Sequence, residues 1–482
     1  MHHATRPPNV LWVFCDQLRW NAVGCNGDPN VRTPHIDRLA DEGANCTLAV
    51  SQYPICSPFR AGLVTGQYAH VNGLRVHGEM LPTDRRTVAH AFRDAGYRTS
   101  YVGKWHLASS NGVRGWRSGE DFWVPPQARG GFEDWFGFDA SNHFYNTCYS
   151  HAGSMQPSRL DGYQTDALTG ISLDYLAGVA RAGRPWFHVL SVESPHPGCD
   201  EHDVYGNPSP EPYASLFDPK KLTLRGNVPP AQRDEARRRL AGYYGQIKNL
   251  DDNVGRLLKW LDETGEADRT LVAFFSDHGD LMGSHGMYEK NEPYDESARV
   301  PLLWRLPGVV PAGHTLRSPV SGIDLFPTTV GLCGLPTPAG VQGLDQSLAV
   351  RGLEGPTRRA ALIQWMGPAL QGFGDHPYRA IRTDRYLYCV GREERHRLLF
   401  DGQSDPLQER NRFADVALAE VRSKLHAELC NEVQRSGEPL PDFLLLHGPE
   451  TTALGTACPL TPGKPARKPA ARKVKRRRSS AG

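Results

Sequence analysis

Unbroken apolar runs alternate along this chain with stretches whose apolar residues return every three or four positions. NVLWVF, residues 9–14, is such a run; it stops at Cys15–Asp16 and has the pattern of a strand covered on both faces. TPHIDRLADEG, residues 33–43, sets a capping threonine and a proline ahead of Ile36, Leu39 and Ala40 at helical spacing and ends on glycine, which predicts a helix. TVAHAFRDAG predicts a second helix, followed by a strand at YRTSYVG. PWFHVLSV predicts a strand leading into ESPHPG. A long amphipathic helix is predicted over RRRLAGYYGQIKNLDDNVGRLLKWLDETG, then a strand at TLVAFFS ahead of DHGDLMGSHG. VPLLWRL predicts one more strand and IDLFPTTVGLCG one more helix.

Such alternation over roughly 350 residues builds an α/β fold, a large mostly parallel or mixed sheet sandwiched by helices. After residue 375 the pattern changes. YRAIRTDRYLYCV and HRLLF predict antiparallel strands joined by short turns, and VALAEVRSKLHAELCNEVQ predicts a closing helix. We therefore divide the chain into a main α/β domain at 1–375, a small C-terminal α+β subdomain at 376–445 and a tail at 446–482.

Several predicted strands end on residues that carry chemistry. The first ends at Asp16, the strand at 98–103 runs to Lys104 and His106, the strand at 186–192 ends near His196, and the strand at 270–276 ends at Asp277–His278. Open parallel sheets bind ligands beyond the carboxyl ends of their strands. These residues therefore predict one shared site rather than four separate strand caps. Asp16, Asp277 and His278 offer hard oxygens and an imidazole, a donor set for Ca²⁺, Mg²⁺ or Mn²⁺. Lys104, His106, His196 and Lys290 add cations and proton carriers. Together they suit an anion that is attacked and then leaves, as in phosphoryl- or sulfuryl-type transfer.

In YPICSPFRAGLVTGQYAH, residues 53–70, Cys56 lies where the chain turns into a predicted helix near Pro58, with Arg60 on its first turn. A helix N-terminus favours bound anions and lowers a thiol pKa. From these residues alone Cys56 reads either as a reactive group or as an inert buried thiol.

The ten cysteines, at 15, 25, 46, 56, 148, 199, 333, 389, 430 and 458, show no CxxC pair and no zinc-finger spacing, so the others read as small buried hydrophobes. The net charge of +2 hides an asymmetry: GKPARKPAARKVKRRRSSAG, from Gly463, holds nine basic residues and no acid, leaving 46 basic against 53 acidic side chains, a body near −7. The tail reads as a solvated, disordered extension, with an anchor for nucleic acid or anionic membrane as the alternative. No apolar run is long enough to span a bilayer, so no membrane insertion is expected. MHHATRPPNVLWVFCDQ lacks a signal-peptide pattern, from which we expect a cytoplasmic protein.

CSPFRAGLVTGQYAH resembles the sulfatase signature, a Cys or Ser followed by x-Pro-x-Arg, a small-residue stretch and Thr-Gly. GYRTSYVGKWHL, residues 96–107, resembles the second signature of that family. NVLWVFCDQ, TPHIDRLADEGANCT, SDHGDLMGSHGMYEKNEPYDESARVPLLWRLPG and the terminal RAIRTDRYLY and LLFDGQSDPLQERN also resemble type I sulfatases at the matching places. Several long motifs in the right order, up to about residue 445, make the resemblance specific.

The resemblance implies an alkaline-phosphatase-like fold and hydrolysis of a sulfate monoester to an alcohol and inorganic sulfate. It implies that a formylglycine-generating enzyme oxidises Cys56 to formylglycine, an aldehyde that hydrates to a diol. One hydroxyl, activated on the metal, attacks sulfur and expels the alcohol; the second then loses its proton, sulfate departs and the aldehyde returns. By the same resemblance Asp16, Asp277, His278 and the modified Cys56 hold one divalent metal, Ca²⁺ foremost, with Mn²⁺ or Mg²⁺ as alternatives. Arg60 stabilises the formylglycine, and Lys104 and Lys290 hold sulfate oxygens as point charges. His106 is the base that collapses the sulfated diol, and His196 protonates or orients the leaving oxygen. Asn72, in HVNG, is either a sulfate contact or a turn residue before Gly73. Asp280, His285 and Glu289 are assigned to structure.

The chain also departs from the family pattern. Many sulfatases have paired aspartates at the end of the first strand; here Cys15 precedes Asp16, and a thiol is a poor ligand for Ca²⁺. One carboxylate is therefore expected from this segment. His278 stands where many relatives have Asn. Relatives that hydrolyse phosphonate monoesters or phosphodiesters share both changes, which makes such a hydrolase the first alternative. GKWHL keeps the Lys and His typical of sulfate-ester enzymes and favours sulfate. A catalytically silent anion-binding homologue is the second alternative, opposed by the retention of Cys56, Arg60, Lys104, His106 and Asp277. The aromatic stretch GWRSGEDFWVPPQARGGFEDWFGFDASNHFYNTCY reads as packing beneath a long loop, with a stacking wall for the leaving group as the alternative. The missing secretion signal points to a small-molecule sulfate ester as substrate, and a homo-oligomer is left open.

Overall fold

The computed structural model describes residues 7–76, 78–108, 123–151, 154, 156–198, 207–367 and 375–446. Ten strands form the central sheet, in the order His314–Leu316, Ala44–Cys46, Leu302–Arg305, Thr270–Ser276, Asn9–Asp16, Trp186–Pro195, Arg98–Lys104, Asp134–Phe138, Cys148–His151 and Ser158–Arg159. Asn9–Asp16 runs parallel to both of its neighbours, and Arg98–Lys104 continues the parallel centre. Toward the edges Leu302–Arg305 and Cys148–His151 pair antiparallel, so the sheet is mixed. The parallel strands carry continuous apolar runs because both of their faces are covered.

Strand alternation sorts the first strand between two cores. Val10, Trp12 and Phe14 pack on one face with Phe59 and Leu63 of the helix Cys56–Thr65. Leu11, Val13 and Cys15 face the other way, against Tyr243, Ile247 and Leu257 of the helix Arg233–Thr264. The helices Pro34–Asp41, Val88–Asp94, Leu325–Leu332 and Ala419–Arg435 also stand where their patterns predict. The helix Gln164–Ala180 was not expected. Its buried positions include Gln164, Thr165, Thr169 and Ser172, polar residues that erase the apolar period.

Of the aromatic stretch, residues 115–122 lie outside the described residues. The remainder follows the packing reading: Phe132, Trp135, Phe138 and Phe144 are buried, and Trp135 stacks on Tyr101 with ring centroids 5.3 Å apart. The basic tail also lies outside the described residues. Among the described residues no helix is long and apolar enough to cross a membrane.

A second, antiparallel sheet runs Ala360–Trp365, Tyr378–Thr383, Tyr386–Gly391, Leu398–Asp401. It takes in a strand that precedes the change of pattern at 375. One face packs on the helix Ala419–Arg435 and the other on Val50, Tyr53, Ile55 and Ala298 of the main body. Asp295 fastens the two parts. Its carboxylate accepts Arg382 Nε at 2.9 Å and Arg299 Nη1 at 2.8 Å, all within buried surroundings. Burial works to raise the Asp295 carboxyl, yet Arg382 and Arg299 hold it far below its ordinary value. Asp295→Asn leaves two shielded guanidinium groups uncompensated and is expected to cost about 3 kcal/mol in urea unfolding at neutral pH. A depressed carboxyl stabilises above its unfolded value of 3.8 and loses that contribution as pH falls below it. The gap between wild type and Asp295→Asn should therefore narrow at pH values under about 3; equal stability at neutral pH would contradict the clamp.

Candidate active site

The carboxyl ends of the central strands bring the predicted residues together. Pairing between Asn9–Asp16 and Trp186–Pro195 shifts register between Phe14 and Asp16, a local irregularity of the kind that re-aims a side chain. Asp16 leaves the strand on the side of Phe14 and the helix Cys56–Thr65. Cys15 points into the opposite core, where its Sγ reaches Phe275 O at 3.2 Å. One carboxylate comes from this segment, as expected.

Cys56 is the first residue of the helix Cys56–Thr65, every residue of which is buried. Small residues such as Ala61 and Gly62 let that helix run through the core; a Cβ on Gly62 would lie 2.3 Å from Gln52 Nε2. Cys56 Sγ stands 3.2 Å from His278 Nε2 and 3.6 Å from Asp16 Oδ1. Ligand atoms of Asp16, Cys56, Asp277 and His278 all lie within 4.8 Å of one another. Burial, reinforced by Asp16, pushes Cys56 up to about 12.

This donor set fits a hard divalent cation. Asp277 Oδ1 accepts the backbone N–H groups of Gln17 and His278 at 3.0 and 2.9 Å. Its Oδ2 is buried with no hydrogen bond among the described residues, Arg60 Nε standing off at 3.4 Å. His278 Nδ1 lies 3.0 Å from Gly279 O, which assigns the proton to Nδ1 and leaves Nε2 as a donor atom for a metal. Gly279 has no room for a side chain, since a Cβ would fall 2.0 Å from Glu296 O.

Three cations surround the cluster. Arg60 donates from Nη2 to Asp16 Oδ2 at 3.0 Å and from Nη1 to Lys104 O at 2.8 Å. Lys104 Nζ lies 2.9 Å from Asp16 Oδ2 and 3.2 Å from Glu193 Oε1. Lys290 Nζ donates to Gln17 Oε1 and faces His196 Nε2 at 3.1 Å and Glu289 Oε2 at 3.2 Å. Burial opposes charge on both lysines, but Asp16 and Glu193 for Lys104, and Glu289 for Lys290, keep them protonated. Burial also works to raise the Asp16 carboxyl; Lys104 and Arg60 hold it well below its ordinary value. His196, by contrast, is driven low by burial and by Lys290 and is neutral. Its Nδ1 sits 2.8 Å from Pro197 O, so Nε2 is the acceptor facing Lys290.

Sequence reasoning did not find Glu193 or Gln17. Glu193 is fully buried at the end of its strand; it pairs with Lys104 and accepts Asn142 N at 2.8 Å and Gln164 Nε2 at 2.7 Å. The one acid in the strand Trp186–Pro195 was the available signal. Gln17 bridges Asp280, Glu289 and Lys290 through its amide. Gln17, His106, Asn142 and Glu289 all have φ between 57° and 68°, the left-handed region. Such strain collects where function over-determines the backbone. Asp280 and Glu289, assigned to structure, lie directly behind Lys290. His285 stays structural, stacked on Tyr294. Asn72 proves to be the turn residue: its amide donates to Gln67 O at 3.1 Å and accepts Leu74 N at 2.9 Å.

Residues 8–335 match the family described as Sulfatase, and residues 283–435 match the family described as N-sulphoglucosamine sulphohydrolase, C-terminal. The chain is 33% identical over 434 residues to the ulvan-active sulfatase of Formosa agariphila, covering 89% of this chain and 82% of that protein. It is similar to the solved structure of yidJ from Bacteroides fragilis, assigned as a sulfatase, with a TM-score of 0.80, 26% identity and coverage of 92% of this chain and 98% of that one. The phosphonate monoester hydrolase of Agrobacterium radiobacter shares the fold, with a TM-score of 0.70, 24% identity and coverage of 89% and 96%.

Proposed function

The chain belongs to the sulfatase family and is a sulfuric ester hydrolase; on that premise we propose that the buried cluster around Cys56 is its catalytic centre. The convergence of Cys56, Asp16, Asp277 and His278 beneath three cations carries this reading. Asp16, Asp277, His278 and the side chain at 56 are the groups that would hold a divalent cation, with Ca²⁺ suited by the carboxylate oxygens. Once oxidised to formylglycine by a maturation enzyme, residue 56 would supply a hydrated aldehyde as nucleophile, and the cation would supply Lewis acidity.

The chain's own groups do the rest. Lys104 and Lys290 hold the sulfate oxygens, and each is fixed by a carboxylate, Glu193 or Glu289, rather than left to swing. Arg60 binds Asp16 and the main chain at Lys104, which keeps the cluster in register. His196 Nε2 and Lys290 Nζ face each other at 3.1 Å, and this pair orients and protonates the departing oxygen. His106, buried at the end of the strand Arg98–Lys104, takes the role of base in releasing sulfate. Lys104 and Lys290 are 1% and 6% exposed, which supports a small-molecule ester whose sulfate enters end-on.

Relative turnover of 4-nitrophenyl sulfate and of a 4-nitrophenyl phosphonate monoester tests the assignment. We expect kcat/KM to favour the sulfate by on the order of 10²-fold or more. The reverse preference would move the protein to the phosphonate hydrolases that share its fold.

A further inference from the structure

Away from the Cys56 cluster, Glu292, His376 and His396 form a second group of converging donors. We propose that these three residues are a second metal site, for a first-row transition ion of the Zn²⁺ type, which ties the loop carrying Lys290 to the small C-terminal sheet. This inference does not depend on the chemistry assigned to Cys56.

All three side chains are buried, and their ligand atoms lie within 4.8 Å of one another. Glu292 Oε2 stands 2.8 Å from His396 Nε2, and Glu292 Oε1 stands 3.9 Å from His376 Nε2. Both imidazoles thus turn Nε2 toward a single carboxylate. A hydrogen-bonded pair accounts for Glu292 and His396 but leaves His376 unexplained. His376 is only 4% exposed, and its Nε2 has no hydrogen-bond partner among the described residues. A buried polar atom left unmatched is costly, and a shared cation relieves that cost.

The donor chemistry selects the ion. Two imidazoles and one carboxylate make a set suited to Zn²⁺ with one position open, whereas Ca²⁺ wants more oxygens. Aromatic walls hold the rings in place: Trp365 stacks on His376 at 5.5 Å and Tyr378 on His396 at 5.0 Å. The competing charge is Arg395, whose Nη1 lies 3.0 Å from Glu292 Oε1; its side chain is 49% exposed and has a second carboxylate partner in Glu393, whose Oε2 lies 2.6 Å from Arg395 Nε.

The three residues come from two parts of the fold. Glu292 follows Lys290 by two positions on the main body. His376 leads into the strand Tyr378–Thr383, and His396 joins Tyr386–Gly391 to Leu398–Asp401. Tyr378 Oη adds a bond to Asn291 O at 3.0 Å. A metal here fastens the Lys290 loop at its base.

The test uses the full chain stripped with a chelator, refilled with excess Ca²⁺, and titrated with ZnCl₂ or CoCl₂. We expect one equivalent of Zn²⁺ to bind despite the Ca²⁺, and Co²⁺ to give visible d–d absorption. Both signals should persist in Asp16→Asn and disappear in His376→Gln and Glu292→Gln. A variant at fully buried His396 risks unfolding, so these two substitutions and the wild-type cobalt spectrum carry the test. No Zn²⁺ uptake in the presence of Ca²⁺, loss of uptake in Asp16→Asn, or unchanged uptake in both His376→Gln and Glu292→Gln would overturn the proposal.

Discussion

Cys56→Ala is expected to fold normally and to lose sulfate-ester turnover by on the order of 10⁴-fold or more. The substitution deletes one buried sulfur atom, a small change for a side chain whose neighbours are mostly polar. Any effect on stability should stay near about 1 kcal/mol. The loss in rate is large because no neighbouring group can replace the nucleophile. Around residue 56 stand two carboxylates, an imidazole aimed at the same centre, and three cations that bind anions but do not attack sulfur. Peptide mass spectrometry across residue 56 supplies an independent reading. A matured chain should be lighter there by about 18 Da than its sequence, as when a thiol becomes an aldehyde. Turnover within tenfold of wild type in Cys56→Ala would refute the assignment of the nucleophile.

Asp16→Asn is the second large effect. Asp16 Oδ2 accepts from Arg60 and Lys104, while Oδ1 faces Cys56 and His278. One carboxylate therefore balances two fixed cations and offers an oxygen to a third charge, the proposed metal. Asparagine keeps the shape and removes the charge, so activity should fall by on the order of 10³-fold. The rise in melting temperature that added Ca²⁺ gives the wild type should vanish, because that rise reflects binding to the native state alone. Arg60 and Lys104 retain Asp277 and Glu193 as partners, so the variant should still fold. A Ca²⁺-induced shift equal to that of wild type would place the ion elsewhere.

Much of this site can be read along the chain. NVLWVF reads as a covered strand because its five residues after Asn9 are all apolar, and parallel strands of that kind need crossover connections, usually helices. Their carboxyl ends then gather Asp16, Lys104, His196 and Asp277 at one edge. What hides is any group whose role depends on a distant partner. Glu193 reads as an isolated acid until Lys104 is placed beside it. Asn72 is chemically able to touch a sulfate, but backbone groups of its own turn claim its amide. The helix Gln164–Ala180 buries Gln164 and Thr165, whose partners Glu193 and Ser194 stand on the strand Trp186–Pro195.

By itself the sequence determined the layered α/β architecture, the small C-terminal unit, and the set of residue types able to clasp an anion beside a cation. These follow from periodicity and local chemistry, which are properties of neighbouring residues. Only the tertiary structure decided which acids face which bases, that Cys15 turns away while Asp16 turns in, and that Glu292 meets two histidines from the second sheet. Such choices depend on the direction of each side chain across contacts between segments far apart in the sequence, and no local period encodes that direction.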